Sequence, residues 1–313
     1  MTSMKREARL ILGGGAAYGL AHIGAIEAIC EEFDITGIVG TSMGAIVGGL
    51  YAMGKTPQEI LALALDSKTT LLFNPGWVPF QPLKLSLDLI KSLHNKKKIM
   101  DLFAKWIGPV KIEELPLPFV AVAYDLNLRK TILIDKGSLT SALRASSSLP
   151  LLFSPHEMQG HLFVDGGIEH PLPLAFKDLV PGSFTIAVNV LPPVSQEAEE
   201  IGVTIPLVNN DLRTHEVVIQ SILQNQGFVA IQAILHNPPD LFIDAHDPRK
   251  NMFDLANVKD FYDFGYRSAK ESLAGMAEPK FMAHLLNRYQ GLISHLMKRG
   301  HVTGETPTSP EPE

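Results

Sequence analysis

The stretch that most constrains this chain is Gly40-Thr41-Ser42-Met43-Gly44, of the form G-x-S-x-G. Ahead of it runs Thr36-Gly37-Ile38-Val39, short, apolar and partly β-branched, which reads as a buried strand. Behind it Ala45 to Met53 is apolar and glycine-rich, which reads as a tightly packed helix. A serine at the apex of a strand-to-helix turn is the setting of a nucleophile elbow. Small flanking residues let the backbone pass closely on either side of that turn. The hydroxyl then stands at a helix N-terminus, where developing negative charge is stabilised. The 20 residues between Asp34 and Lys55 carry no formal charge, enough to cross a bilayer. Gly40, Gly44 and Gly48 even repeat the small-xxx-small spacing of paired membrane helices. Six glycines and few large apolar residues make that transfer poor, so a buried strand and helix are the reading kept.

The rest of the composition sets limits. A chain of 313 residues, 46% hydrophobic and 19% charged, can bury one large core or two small ones. A net charge of −6, with both signs mixed along the chain, gives no basic footprint for nucleic acid. The single cysteine, Cys30, excludes an internal disulfide framework and reads as a small buried apolar residue. Met1 to Arg9 is charged and leads directly into a strand, with no signal-peptide core. The expected location is the cytoplasm, peripheral to a membrane at most. Thr303 to Glu313, rich in Pro, Thr and Glu, reads as a disordered tail.

Ala8 to Leu12 reads as the first strand, followed by Gly13-Gly14-Gly15-Ala16-Ala17-Tyr18-Gly19 and a helix from about Leu20 to Phe33. Strand, glycine loop, helix, strand, elbow, helix: that alternation predicts an α/β fold with a parallel sheet. The glycine loop has two functional readings. As a dinucleotide phosphate loop it has one residue too many between glycines, and Asp34 precedes the second strand instead of ending it. As an oxyanion hole it offers successive unhindered backbone amides. Parallel neighbours place both loops at one sheet edge, where ligands bind in such folds.

Further on, Leu71 to Pro82, with three aromatics and three prolines, reads as an irregular loop, either a lid or ordinary packing. Leu83 to Ile107 looks helical and carries Lys96-Lys97-Lys98, a solvated face or a weak attraction to anionic lipid. Strands are expected at Phe119–Tyr124, Lys130–Ile134, Leu162–Val164 and Ser183–Leu191, and a helix at Ser138–Ser148. Helices at about 211–237 and 279–298 pack on this core or on a second copy. Asp165-Gly166-Gly167 puts a carboxylate on a tight turn after an apolar strand. A serine nucleophile needs a base. Of the later histidines only His246 follows a strand-like run, so a Ser-Asp-His triad and a direct Ser-Asp pair both stay open.

Three elements in order, Gly13-Gly14-Gly15-x-x-x-Gly19 with His22-Ile23-Gly24, the elbow, and Asp165-Gly166-Gly167, resemble the patatin-like phospholipases. Tyr124-Asp125-Leu126, Arg144-Ala145-Ser146-Ser147-Ser148-Leu149-Pro150 and Pro171-Leu172-Pro173 resemble segments between and after those motifs. The resemblance covers about residues 8–193 well and 211–274 loosely. It implies a three-layer α/β/α fold with a mostly parallel sheet and a Ser-Asp dyad cleaving acyl esters of lipids. Ser42 is then the nucleophile and Asp165 the general base. Gly13, Gly14, Gly15 and Met43 are implied for the oxyanion hole, with Gly40, Gly44, Gly166 and Gly167 shaping elbow and turn. Where the family often has Arg, this chain has Tyr18, which bears on phospholipid preference and not on acyl chemistry. The expected organisation is a hydrolase domain at 8–274, a helical extension at 275–300 and a tail at 301–313. No metal or organic cofactor is implied. The expected partners are a lipid or ester substrate, a membrane surface in transient contact and a second copy of the chain. Acyl transfer by the same dyad and nucleotide binding at Gly13–Gly19 are the alternatives.

Overall fold

The computed structural model describes residues 5–66, 100–191, 214–247, 250 and 257–276. The loop at 71–82, Lys96 to Lys98, the helix expected at 279–298 and the tail lie outside them. The chain alternates strands and helices as its sequence pattern requires. First come β1 (Arg6–Leu12), α1 (Ala21–Glu32), β2 (Phe33–Thr41) and α2 (Met43–Ala52). The uncharged stretch after Asp34 is therefore a strand and a helix broken at Ser42, not one membrane-length helix. Next is α3 (Pro57–Leu65), which the hydrophobic pattern did not announce. Its start is local chemistry: Thr56 and Glu59 form a reciprocal capping box and Pro57 opens the first turn.

A helix over residues 100–107, α4, precedes β3 (Phe119–Asp125) and β4 (Lys130–Ile134). Then follow α5 (Leu139–Ser146), the hairpin β5 (His156–Met158) and β6 (His161–Asp165), and β7 (Thr185–Asn189). Last come α6 (Thr214–His236), β8 (Leu241–Asp244) and α7 (Val258–Gly275). α7 is not among the helices expected above, although its buried positions Val258, Phe261, Gly265, Ala269 and Leu273 fall at helical spacing.

One sheet of eight strands carries these elements. β8, β7, β1, β2 and β3 pair in parallel in that order, and β4, β5 and β6 join antiparallel beyond them. Side chains alternate across the sheet, so each strand feeds two cores. Leu10, Leu12, Ile38, Ala121, Ile186 and Val188 pack toward α1, α2, α5 and α7. Ile11, Val39, Val120, Val122, Ala187 and Phe242 face Ile219, Leu223, Ile231 and Ile234 of α6. Helices on both faces of a mostly parallel sheet make the three-layer α/β/α fold expected. The span Val217–His236 is long and apolar enough to cross a membrane by length and composition, yet its inner face is part of that second core.

The tightest helix crossing is between α1 and α7. A methyl at Gly24 would sit 2.0 Å from Tyr262 O, and one at Gly265 would sit 1.9 Å from Ala21 O. Both obstacles are backbone, so neither can swing aside. Gly265→Ala is expected to cost about 3 kcal/mol, the upper range for over-packing, read as a lower urea midpoint.

Candidate active site

β3 brings the two key side chains together because two strands share one of its edges. Val122 pairs with Thr41 of β2 and Leu133 of β4, which puts those strands on opposite edges. Ala123 pairs with Ile132 of β4 and Asp165 of β6, so β6 lies on the β2 edge. β2 and β6 thus run end to end along β3, and β2 turns away at Ser42 just where β6 arrives. The C-terminal turn of α5 is fastened into this junction. Ser146 Oγ donates to Val122 O at 2.6 Å and accepts the Ser42 N–H at 2.9 Å. Asp165 N donates to Ser148 O at 3.1 Å. The buried Arg144 guanidinium braces the same turn, donating to Ser148 Oγ at 2.5 Å and Ser154 O at 2.8 Å.

Ser42 has φ 55° and ψ −121°, a conformation that costs a non-glycine residue on the order of 1–3 kcal/mol. Close packing holds it there. A methyl at Gly44 would lie 2.5 Å from both Leu12 O and Gly13 O, and one at Gly40 would lie 2.7 Å from Ala45 N. Although Ser42 is the N-cap of α2, its hydroxyl makes no cap bond. It donates instead to Asp165 Oδ2 at 2.5 Å. The other carboxylate oxygen, Oδ1, accepts the Gly167 N–H at 2.8 Å. Asp165 is 1% exposed. Burial pushes its carboxyl up to about 6, against the opposing pull of the Ser42 and Gly167 hydrogen bonds. A carboxylate with that value accepts a proton from an attacking hydroxyl far better than a solvated aspartate near 3.9.

The glycine loop lies against the elbow, since a methyl on Gly14 would be 3.3 Å from Ser42 Cβ. Its amides are not all free. Gly13 N donates to Val188 O at 3.1 Å, continuing the β1–β7 ladder past the strand end, and Gly14 N donates to Pro171 O at 2.8 Å. That corrects the expectation of three open glycine amides. Among the described residues, Gly15 N–H and Met43 N–H have no acceptor. His22, fully buried, donates Nε2–H to Gly13 O at 2.7 Å and pins the first peptide of the loop. Burial holds its imidazole down to about 4, hence neutral. His22 and Ser146 stand inside the quoted motifs, but nothing in the sequence marks them as supports of loop and elbow.

Tyr18 leaves the site side of the loop. Its hydroxyl donates to Lys250 O at 3.1 Å and its ring meets His246 edge-on with centroids 4.6 Å apart. His246 Nδ1 donates to Val190 O at 3.2 Å, and burial lowers it to about 4. The histidine weighed for a triad is thus bonded behind the glycine loop, while the Ser42 hydroxyl is bonded to Asp165.

An uncharacterized NTE family protein of Mycobacterium bovis is 40% identical over 183 residues, which are 58% of this chain and 48% of that protein. The neuropathy target esterase sws of Drosophila melanogaster is 31% identical over 191 residues, 58% of this chain and 13% of that protein. The chain therefore spans about half the length of the mycobacterial relative and a small part of the fly protein. Among solved structures, VipD from Legionella pneumophila aligns over 86% of this chain and 67% of its own with a TM-score of 0.41 at 14% identity, too loosely to carry function. The family described as patatin-like phospholipase matches residues 10–176, more than half of the chain and the whole of the junction between β1 and Asp165. This chain belongs to the patatin-like phospholipase family.

Proposed function

We propose that the chain is a serine acyl hydrolase cleaving carboxylic esters of lipids through Ser42 and Asp165. The observation that carries this reading is the 2.5 Å bond from Ser42 Oγ to a buried carboxylate at a strained elbow. Ser42 Oγ attacks the ester carbonyl while its proton passes to Asp165 Oδ2. The oxyanion is received by the amides of Gly15 and Met43, at the open end of the loop and the start of α2. Asp165 then returns the proton to the departing alcohol oxygen, leaving an acyl-serine. Water, deprotonated by Asp165, releases the fatty acid, and the proton goes back to Ser42. Family membership and the fly relative's name as an esterase support a lipid ester as substrate. The same reading takes residues 8–274 as the hydrolase unit, which the packing of α7 on α1 supports. A phosphate-loop reading has less support, since the Gly13 and Gly14 amides that would cradle phosphate are bonded to Val188 and Pro171.

A fluorophosphonate probe tests the proposal directly. The wild-type chain is expected to take up one label at Ser42 and to hydrolyse p-nitrophenyl acyl esters. Ser42→Ala is expected to lose both. Ester turnover by a folded Ser42→Ala chain at the wild-type rate sinks the proposal.

A further inference from the structure

Gln226 lies on α6, which packs against the turn Gly166–Ile168 directly after Asp165. It is 3% exposed, and its Nε2 is a buried donor without a hydrogen-bond partner among the described residues. A buried amide left unpaired is costly, and native proteins rarely keep one without a use. Its place is specific. A methyl built on Gly167 would fall 2.6 Å from Gln226 Nε2 and 3.0 Å from Asp165 Oδ1. The amide and the carboxylate oxygen therefore lie within the sum of those distances, on the same flank of one glycine. Among the described residues Oδ1 accepts only the Gly167 N–H, and a carboxylate oxygen has room for a second donor. An orphan donor thus sits beside an unfilled acceptor, separated by a residue with no side chain.

The other titratable groups round the junction are engaged elsewhere. Arg144 is bonded to Ser148 and Ser154, Glu169 to Thr131, His22 to Gly13 O, and Asp125 to His161, while His170 stacks edge-on against Phe176. None of them bonds the Asp165 carboxylate.

We propose that Gln226 is a positioning residue for the dyad, its amide donating to Asp165 Oδ1 while Oδ2 exchanges the proton with Ser42. This rests on the hydrolase reading above. The terminal amide turns about a soft torsion, which leaves its nitrogen free to swing toward Oδ1. With both donors on Oδ1, the carboxylate plane is fixed and Oδ2 stays aimed at the serine through both halves of the reaction. The Gln226 donor also favours the ionised base, so its loss makes Asp165 harder to ionise.

The test is Gln226→Leu, near in volume and without a donor, with Gln226→Met as an unbranched second variant. On a p-nitrophenyl ester, each is expected to lower kcat by about tenfold with KM within about twofold, the scale of one charge-assisted hydrogen bond. The acid limb of kcat/KM is expected to move up by about one pH unit. A side chain with a merely structural role would change the unfolding midpoint and leave that limb in place. Wild-type kcat and an unmoved limb in either folded variant overturn the proposal. Asp165→Asn run alongside separates the two readings. Wild-type-like activity there brings down the dyad and Gln226 with it, whereas an inactive Asp165→Asn beside an unaltered Gln226→Leu removes Gln226 alone.

Discussion

Asp165→Asn is expected to lower ester hydrolysis by about a thousandfold, within the range for loss of a general base, and at the same time to stabilise the protein at pH 8. The two effects share one cause. In the folded chain the carboxyl is pushed up to about 6 from an ordinary value of 3.8, first by burial. Folding therefore takes up a proton at this position between those values. Below about pH 4 the group is neutral in both states and costs nothing. As pH rises from about 4 to about 6 the unfolded chain gains a hydrated charge that the buried carboxyl resists, so stability falls over that window and levels off above it. A rise of that size in the carboxyl's pKa corresponds to about 3 kcal/mol. The carboxamide carries no charge and can still accept the Gly167 N–H. The stability difference between variant and wild type should be near zero at pH 4 and reach about 2–3 kcal/mol by pH 8, measured by urea unfolding at several pH values. His22 titrates in the opposite sense, held down to about 4 by burial and so destabilising as pH falls below 6.5. It is common to both chains and cancels in the difference. Equal stability at pH 8 contradicts a buried ionised Asp165, and wild-type turnover contradicts its use as a base.

Gly44→Ala is expected to lower activity by at least about a hundredfold, because displacing a reacting group by about 1 Å costs that much. The added carbon would meet Leu12 O and Gly13 O at 2.5 Å, both backbone atoms where β1 enters the glycine loop. Relief requires α2 to lift off β1, and Ser42 stands at its start. Both the strained serine and the Met43 amide move with it. Stability is expected to fall by about 2–3 kcal/mol as well. Gly49→Ala on the same helix is the control. Its new carbon would meet methyl ends of Leu143 and Leu139, which can turn aside. If the two variants have the same activity, close backbone approach at the elbow is not what sets Ser42.

Much of this is legible in the sequence because local rules act on contiguous residues. Short apolar runs for the buried strands, the turn chemistry at Gly40–Gly44 and the glycines after Leu12 are each readable over a few positions. The family resemblance supplies the order of the motifs and the pairing of Ser42 with Asp165. α3 escapes notice because it depends on a cap, and α7 because its buried stripe, Val258, Phe261, Gly265, Ala269 and Leu273, has glycine and alanine at two of five places.

The tertiary structure decides what pairs with what. That β2 and β6 meet end to end on one edge of β3 is a property of strand order, and no spacing in the chain announces it. The assignment of amides is also hidden. Gly13 and Gly14 look as available as Gly15 until β7 and Pro171 are laid beside them. Ser146, His22 and Gln226 become visible only as partners, or as a missing partner, of atoms far away in sequence. The sequence by itself determines which residues can turn, bury or ionise, because those are properties of single residues and their immediate neighbours. Packing determines which hydrogen bonds are already spent and how far burial moves a carboxyl, because both depend on atoms that only the fold brings within hydrogen-bonding reach.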